Sequence, residues 1–105
     1  MKGVNGMENN GSEQKTALVI DETDNVAVAL TDLKIGDNCL VRFNDRIEYI
    51  KVLEDITFGH KFAILDIGKD ESVLKYGEEI GRMSLFVQKG GYIHNHNMYC
   101  ERGMK

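Results

Sequence analysis

Short apolar runs separated by polar turns are the dominant pattern of this chain from Lys15 onward. Clear examples occupy residues 17–20, 26–30, 39–43 and 47–53, and β-branched and aromatic residues are frequent in them. The segments between them are rich in Asp, Asn and Thr, which favour turns. Runs of this length and composition are typical of strands rather than helices. The pattern therefore predicts an all-β chain.

A recurring corner supports this prediction. Three times, an apolar residue is followed by a tight turn of glycine or polar residues and then, six positions on, by another apolar residue. The apolar pairs are Leu33 and Cys39, Ile67 and Val73, and Val87 and Ile93. Each copy predicts a strand end, a turn and a new strand. The chain has 11 glycines and no proline, and glycine adopts positive φ at corners. We expect a small domain of short strands joined by hairpin-like corners.

Length and composition predict one domain with a tail at each end. A chain of 105 residues allows one small domain. Residues 1–14 are rich in Gly, Asn, Ser and Glu and contain few apolar side chains, so they cannot bury enough surface to offset the entropy of ordering. We therefore predict a flexible tail at 1–14, a domain at 15–97 and a short C-terminal tail at 98–105. The hydrophobic fraction of 42% is enough for one core.

Charge and cysteine content exclude several classes of protein. A net charge of −4 with mixed signs gives no electrostatic reason to expect a nucleic-acid partner. The sequence contains no run of 18 apolar residues, so we predict no membrane span. The N-terminus lacks the apolar core of a signal peptide. Cys39 and Cys100 lie too far apart for a disulfide framework or a zinc pattern. We expect a cytoplasmic protein without membrane or nucleic-acid partners.

His94 and His96 are the first candidates for chemistry. In an extended segment, residues i and i+2 leave the backbone on the same face, roughly 6.5–7 Å apart. Two imidazoles so placed can reach one divalent metal or hold one carboxylate or phosphate between them. The ordinary histidine pKa near 6.5 also suits either one to acid–base catalysis at neutral pH. The alternative is a polar strand end that leads into the C-terminal tail.

The other candidates are basic or polar residues near predicted strand ends. His60 follows Gly59 and precedes Lys61, and a His-Lys pair is suited to binding a carboxylate; otherwise His60 is an ordinary surface histidine. Lys75 is either an anion contact or a solvated charge. Asn97 is suited to orienting a histidine or binding a hydroxyl group, although asparagine at a strand end is most often a turn former.

Three short motifs together resemble a known family. They are Gly59-His60-Lys61, Lys75-Tyr76-Gly77 and His94-Asn95-His96-Asn97. Taken from residue 59 to residue 97, the chain resembles the SAF domain of the altronate/galactarate dehydratases, and the apolar pattern extends the resemblance loosely back to Leu18. In some members, including sulfolactate sulfo-lyases, this domain is a separate small subunit.

The resemblance implies a β-clip fold and the role of a small subunit in a hydro-lyase for sugar acids. Such enzymes remove a proton α to a carboxylate and expel a β-hydroxyl as water, and a divalent metal or fixed positive groups stabilise the enediolate. The metal implied by the family is iron(II) or manganese(II). Most of the family's catalytic machinery lies in a large domain outside the resemblance. We therefore expect a large dehydratase subunit and a sugar acid as partners, and no activity from this chain alone.

The resemblance also implies roles for the candidate residues. His94 and His96 are expected to be metal ligands or acid–base groups, and His60 with Lys61 to hold the substrate carboxylate. The full expected set comprises His60, His94 and His96 as catalytic residues and Lys61, Lys75 and Asn97 as substrate contacts.

Two other functions stay open at this stage. SAF domains also serve as non-catalytic carbohydrate-binding or assembly modules, and small subunits of sulfolactate sulfo-lyases look like those of the dehydratases in this region. A binding or assembly module has no need for three histidines together. The histidines therefore favour the enzyme subunit.

Overall fold

The computed structural model describes residues 14–100, and within this range it contains nine strands and no helix. The strands are β1 (Thr16–Leu18), β2 (Val26–Ala29), β3 (Asn38–Arg42), β4 (Ile47–Lys51), β5 (Lys61–Ala63), β6 (Ser72–Lys75), β7 (Glu78–Met83), β8 (Tyr92–Ile93) and β9 (Met98–Tyr99). The all-β prediction is confirmed. None of the described residues forms a helix long and apolar enough to cross a membrane.

The strands form two sheets. The larger sheet has the order β4-β3-β1-β2-β5-β8, and the smaller one has the order β6-β7-β9. Neighbouring strands run antiparallel except for β1 and β3, which are parallel. A parallel pair needs a crossover connection, and here β2 and the first corner supply it. The buried residues form two clusters. Cys39 and Phe62 belong to the first, which we call the larger sheet's core. The second combines Val73 and Met83 of the smaller sheet with residues of β2, β5 and β8, and we call it the smaller sheet's core although both sheets contribute to it.

Tight corners connect the strands, and they come in two pairs. Leu33 forms an isolated β-bridge with Ile56, and Ile67 forms one with Val87. Three residues after each of these apolar positions, the backbone adopts positive φ, at Gly36, Gly59, Asp70 and Gly90. This is the geometry that a type II turn requires of its third residue. The hairpin-like corners predicted from the sequence are therefore present. The copy that begins at Ile56 adds a fourth to the three recognised in the sequence.

The predicted tails fall largely outside the described residues. Of the segment 1–14, the structure describes Gln14 alone, and it ends at Cys100. Before that end, β9 pairs with β7 in the register Arg82↔Tyr99 and Met83↔Met98. Paired backbone thus continues two residues past the predicted domain end at Asn97, because Met98 packs against the smaller sheet's core.

Candidate functional site

His60 lies at the second corner, where the local turn presents its side chain toward β8. Gly59 has a φ of 87°, and the backbone N–H of His60 donates to the carbonyl of Thr57 at 2.9 Å, which closes the turn. At the equivalent position of two other corners stand Asp37 and Glu71. Their carboxylates accept hydrogen bonds within their own turns, at 2.8 and 2.7 Å. A histidine makes no such cap, so the His60 side chain is available for other contacts.

Tyr92 joins the three histidines into one cluster. Its ring centroid lies 5.8 Å from that of His60, 5.7 Å from that of His94 and 5.3 Å from that of His96. The rings of His60 and His94 are themselves stacked at 5.1 Å. The pairing of β5 with β8 brings them together, in the register Lys61↔Ile93. We name this set of four rings the imidazole cluster.

Tyr92 was not among the candidates from the sequence. A tyrosine at the start of a short apolar strand is usually a packing residue, and its ring does contact the larger sheet's core. Its hydroxyl, however, lies 2.7 Å from Nδ1 of His60. The one sequence feature that could have pointed to Tyr92 is its position two residues before His94. Its contact with His60 could not be predicted, because the two residues are 32 positions apart and meet only through strand pairing.

The prediction of an extended segment at His94 and His96 is wrong. β8 ends at Ile93, and residues 94–97 form a turn in which the N–H groups of Asn97 and Met98 both donate to the carbonyl of His94, at 3.0 and 2.9 Å. The two histidines therefore do not alternate with Asn95 along a strand. The turn nevertheless brings both imidazoles to the ring of Tyr92.

Asn97 is the reason that this turn forms. Its side-chain oxygen accepts a hydrogen bond from the N–H of His94 at 3.0 Å, and its amide group donates to the carbonyl of Tyr92 at 2.9 Å. Asparagine side chains commonly stabilise turns through such bonds to nearby backbone. The residue is 7% exposed. Asn97 thus orients the histidine segment, and the contact with substrate that was also expected of it stays a prediction.

Lys61 borders the imidazole cluster, and Lys75 lies close to Lys61. Lys61 on β5 is half-buried, and desolvation, with repulsion from Lys75 as the second cause, lowers the pKa of its ammonium group. No carboxylate lies within 4.0 Å of either ammonium group in the described part of the chain. Two neighbouring cations without a counter-ion form a favourable position for an anion.

A buried carboxylate holds the segment that carries Lys75. Asp24 is 6% exposed, and it accepts hydrogen bonds from the N–H groups of Tyr76 at 3.0 Å and Gly77 at 2.8 Å. These two residues form the turn between β6 and β7, with φ of 57° and 78°. We call Asp24 and its bonds to this turn the hairpin clamp.

Asn25 reinforces the hairpin clamp from the next position. Its side-chain amide donates to the carbonyl of Ser72 at 2.9 Å, and its side-chain oxygen accepts from the N–H of Leu74 at 2.8 Å. The loop before β2 therefore fixes β6 at two points. Because β2 also pairs with β5, this arrangement brings Lys75 close to Lys61.

His94 lies in a positively charged environment. Desolvation, followed by repulsion from Lys61 and from the other two histidines, lowers the pKa of its imidazole below the usual value. A lower pKa means a larger neutral fraction near pH 7, and a neutral imidazole has a free lone pair that can accept a proton. The same positive groups favour binding of an anion beside it.

The described residues do not fit a metal centre built by this chain alone. Within residues 14–100, no group of three or more His, Cys, Asp or Glu side chains lies close enough to hold a metal ion. Iron(II) sites in proteins commonly combine two histidines with a carboxylate. The rings of His60 and His94 are stacked, with an inclination of 26°. The expected ligand pair, His94 and His96, has no third ligand beside it among these residues, and its role as a metal ligand stays a prediction.

Neither cysteine adds a nucleophile to this site. Cys39 is buried in the larger sheet's core, and desolvation, assisted by the charge of Asp37, raises the pKa of its thiol to about 11. Cys100 is exposed at the end of the described range. Both are free thiols. The chemistry that the site offers is therefore that of imidazole, ammonium and phenol groups.

Comparison with known proteins identifies the family. Residues 15–101 match the model of the altronate/galactarate dehydratase SAF domain. The chain is 41% identical over 78 residues to an altronate dehydratase of Escherichia coli, which covers 74% of this chain and 15% of that protein. A galactarate dehydratase (L-threo-forming) of the same species is 40% identical over 76 residues, which is 13% of its length. This chain therefore spans about one-seventh of the length of these dehydratases.

A shorter relative matches over nearly its whole length. A (2R)-sulfolactate sulfo-lyase subunit alpha of Paracoccus pantotrophus is 33% identical over 64 residues, which is 61% of this chain and 96% of that subunit. The domain thus occurs both inside long dehydratases and as a small lyase subunit. With its all-β fold and a family match that covers all but one of the described residues, this chain belongs to the altronate/galactarate dehydratase SAF domain family.

Proposed function

We propose that this SAF domain supplies part of the active site of a hydro-lyase that dehydrates a sugar acid, and that a large dehydratase-like subunit completes the site. The observation that carries the proposal is the convergence of three imidazoles and Lys61, with Lys75 close to Lys61 and no carboxylate within 4.0 Å of either ammonium group among the described residues. A purely structural module gains nothing from such a cluster, because uncompensated positive charges repel one another.

The two lysines suit the binding of a substrate carboxylate. An α-proton becomes removable only when the negative charge that forms on the carboxylate oxygens is stabilised, and fixed positive groups stabilise it. Lys61 and Lys75 are held on β5 and β6 by backbone pairing and by the hairpin clamp. The backbone positions from which the two ammonium groups reach the substrate are therefore fixed by the fold.

His94 is the residue best suited to accept the α-proton. Its lowered pKa favours the neutral form of the imidazole, which is the form that accepts a proton, and an imidazole pKa lies close enough to neutral pH for general-base catalysis. In this scheme, Nδ1 or Nε2 of His94 takes the proton while the lysines hold the enediolate. The β-hydroxyl then gains a proton and leaves as water, and His96 is the neighbouring group of this chain that can supply that proton.

The divalent metal that the family implies belongs, in this proposal, to the large subunit. The imidazole cluster lacks a carboxylate, and no third ligand lies beside His94 and His96 among the described residues. Iron(II) or manganese(II), when bound, supplies Lewis-acid stabilisation of the substrate oxygens. We assign its ligands to the large subunit and leave the basic groups described above to this chain.

A second candidate is the small subunit of a sulfo-lyase. A comparison of chain lengths favours this candidate. The match covers 96% of one sulfolactate sulfo-lyase subunit alpha but only 15% of the Escherichia coli altronate dehydratase. The two reactions share the removal of an α-proton and differ in the group expelled from the β-carbon. The same basic cluster serves both.

The test is reconstitution with a large dehydratase-like subunit from the same organism. Loss of altronate, galactarate or (2R)-sulfolactate is followed for the chain alone, the large subunit alone and the complex. We expect turnover of one substrate by the complex, and a loss of at least about 100-fold for His94→Ala and for His96→Ala, the lower end for an acid–base group. Asn95→Ala, in the same exposed turn, is the matched control and should keep near-normal rates. Normal rates in both histidine variants would leave a non-catalytic binding module as the function.

A further inference from the structure

The position of Tyr92 is fixed from three sides. Its backbone N–H donates to Oε2 of Glu54 at 3.0 Å, and its carbonyl accepts from the side chain of Asn97 at 2.9 Å. Its Cα is paired with Phe62 across the β5–β8 ladder, and its ring packs on the larger sheet's core. The ring is therefore held rigidly, and the place of its hydroxyl group is determined by the fold.

The hydroxyl of Tyr92 contacts one specific nitrogen of His60. The Oη–Nδ1 distance is 2.7 Å, within the range of a good hydrogen bond. His60 is itself held on both sides, since its N–H bonds to Thr57 and its carbonyl accepts from the N–H of Ala29 at 2.8 Å. The contact thus joins two side chains whose backbones do not need to move to form it.

The direction of this hydrogen bond decides what His60 offers to a ligand. A phenol is a better donor than acceptor, and the unprotonated imidazole nitrogen is a strong neutral acceptor. When Tyr92 donates to Nδ1, the single proton of a neutral His60 lies on Nε2. When His60 is charged, both nitrogens carry protons. Nε2 therefore carries a proton in both states, and within residues 14–100 the structure shows no hydrogen-bond partner for it.

We propose that Tyr92 is a positioning residue that fixes His60 as a hydrogen-bond donor, through Nε2–H, toward an anionic oxygen of the ligand. This separates the histidines by role, because His60 then cannot serve as the base while His94 can. The nature of the ligand rests on the proposed function. The tautomer of His60 is a property of the chain itself and is measurable without any partner.

The first test is nitrogen NMR of the full chain with ¹⁵N-labelled histidine, at a pH where the imidazoles are neutral. The signals of His60 are assigned by their loss in His60→Gln. We expect the pattern of the Nε2–H tautomer in the wild-type chain and a mixture of tautomers in Tyr92→Phe, which removes one oxygen and keeps the ring. A proton on Nδ1 in the wild-type chain, or an unchanged pattern in Tyr92→Phe, would overturn the proposal. The wild-type measurement decides even if the variant does not fold.

The second test compares two amides at position 60 in the reconstituted complex. The glutamine side chain places its NH₂ group near the position of Nε2, whereas asparagine reaches only as far as Nδ1. We expect kcat/KM of His60→Gln to exceed that of His60→Asn by at least about 10-fold, the lower end for one hydrogen bond to a charged group. Equal losses in the two variants would contradict the donor role.

The outcomes of the two tests separate this inference from the proposed function. If no complex turns over any of the three acids, the proposed function fails, and the NMR result on the free chain still decides the tautomer. If the complex is active but the NMR pattern is that of Nδ1–H, the positioning role of Tyr92 fails and the proposed function stands.

Discussion

Asp24 offers the sharpest test of how the fold positions the basic groups. Its carboxylate accepts three backbone hydrogen bonds, from the N–H groups of Asp21, Tyr76 and Gly77, at 3.0, 3.0 and 2.8 Å. Hydrogen bonds to a charged group contribute about 1.5–3 kcal/mol each. Because bonds that share one acceptor group are not additive, we expect Asp24→Ala to lower the free energy of unfolding by about 3–4 kcal/mol.

The milder Asp24→Asn substitution refines this prediction. An amide keeps one oxygen, which can accept the two bonds now made to Oδ2, but it places an NH₂ group against the N–H of Gly77. We therefore expect about half the loss of the alanine variant. The control is Asp45→Ala, because Asp45 is an exposed member of a surface ion pair with Arg46 and such pairs contribute about 0–1 kcal/mol.

Denaturant titration measures the stabilities, and NMR of Lys61 measures the functional consequence. The pKa of Lys61 is lowered partly by the nearby charge of Lys75. If the hairpin clamp holds Lys75 in place, the clamp variants should let the pKa of Lys61 move back toward its ordinary value. A stability loss below about 1 kcal/mol in Asp24→Ala, or an unchanged Lys61 titration in a destabilised variant, would refute the reasoning.

Three further predictions concern the metal, the pH dependence and one corner. The isolated chain should bind iron(II) or manganese(II) at far below one equivalent, measured by elemental analysis after dialysis, since no three-ligand group exists within residues 14–100. Because the pKa of His94 is lowered in the folded chain, the unfolded chain protonates this histidine at a higher pH, about 6.5, than the folded chain does. The free energy of unfolding should therefore decrease as the pH falls below about 6.5, and His94→Ala should remove this part of the decrease. A free energy of unfolding that rises as the pH falls through this range, with the rise removed in His94→Ala, would contradict the prediction. Gly90→Ala should destabilise far more than Gly36→Ala, by at least about 2 kcal/mol. Both glycines have φ near 90°, but only at Gly90 does an added Cβ clash with the carbonyl oxygen of Lys51.

The strands and corners were predictable because both depend on local chemistry. An apolar residue, a glycine or polar turn and an apolar residue six positions on describe three of the four corners. Asp70 shows that the corner does not need glycine, since it adopts a φ of 69°. Its short polar side chain tolerates the left-handed region better than most.

The sequence indicated which histidines to consider but not how they are arranged. The three histidines do lie together with Lys61 beside them, and their role as a site stays a prediction. The extended arrangement of His94 and His96 is wrong because the side chain of Asn97 bonds to nearby backbone and closes a turn. Tyr76 likewise departs from extended backbone, since it is 56% exposed in a turn of two residues with positive φ. The rule that residues i and i+2 lie on the same face holds only for extended backbone. It therefore fails wherever a side chain stabilises a turn.

The second corner, which carries His60, lacks the cap that two other corners have. At Asp37 and Glu71 the residue after the positive-φ position caps its own turn, and His60 makes no such bond. The first two corners are also joined by side chains from outside each turn, because Oδ1 of Asp32 accepts from the N–H of Phe58 at 2.8 Å and Oδ1 of Asp55 accepts from the N–H of Ile35 at 2.9 Å.

The paired corners therefore hold one another, and the side chain at position 60 carries little of the local stability. Substitutions of His60 should consequently report on chemistry rather than on folding. This is the condition that the comparison of glutamine with asparagine at this position requires. In two other corners, at Asp37 and Glu71, the residue at this position caps its own turn, and in the last corner it is Gly91. His60 is the residue at this position whose side chain is free of that cap and can contact a ligand.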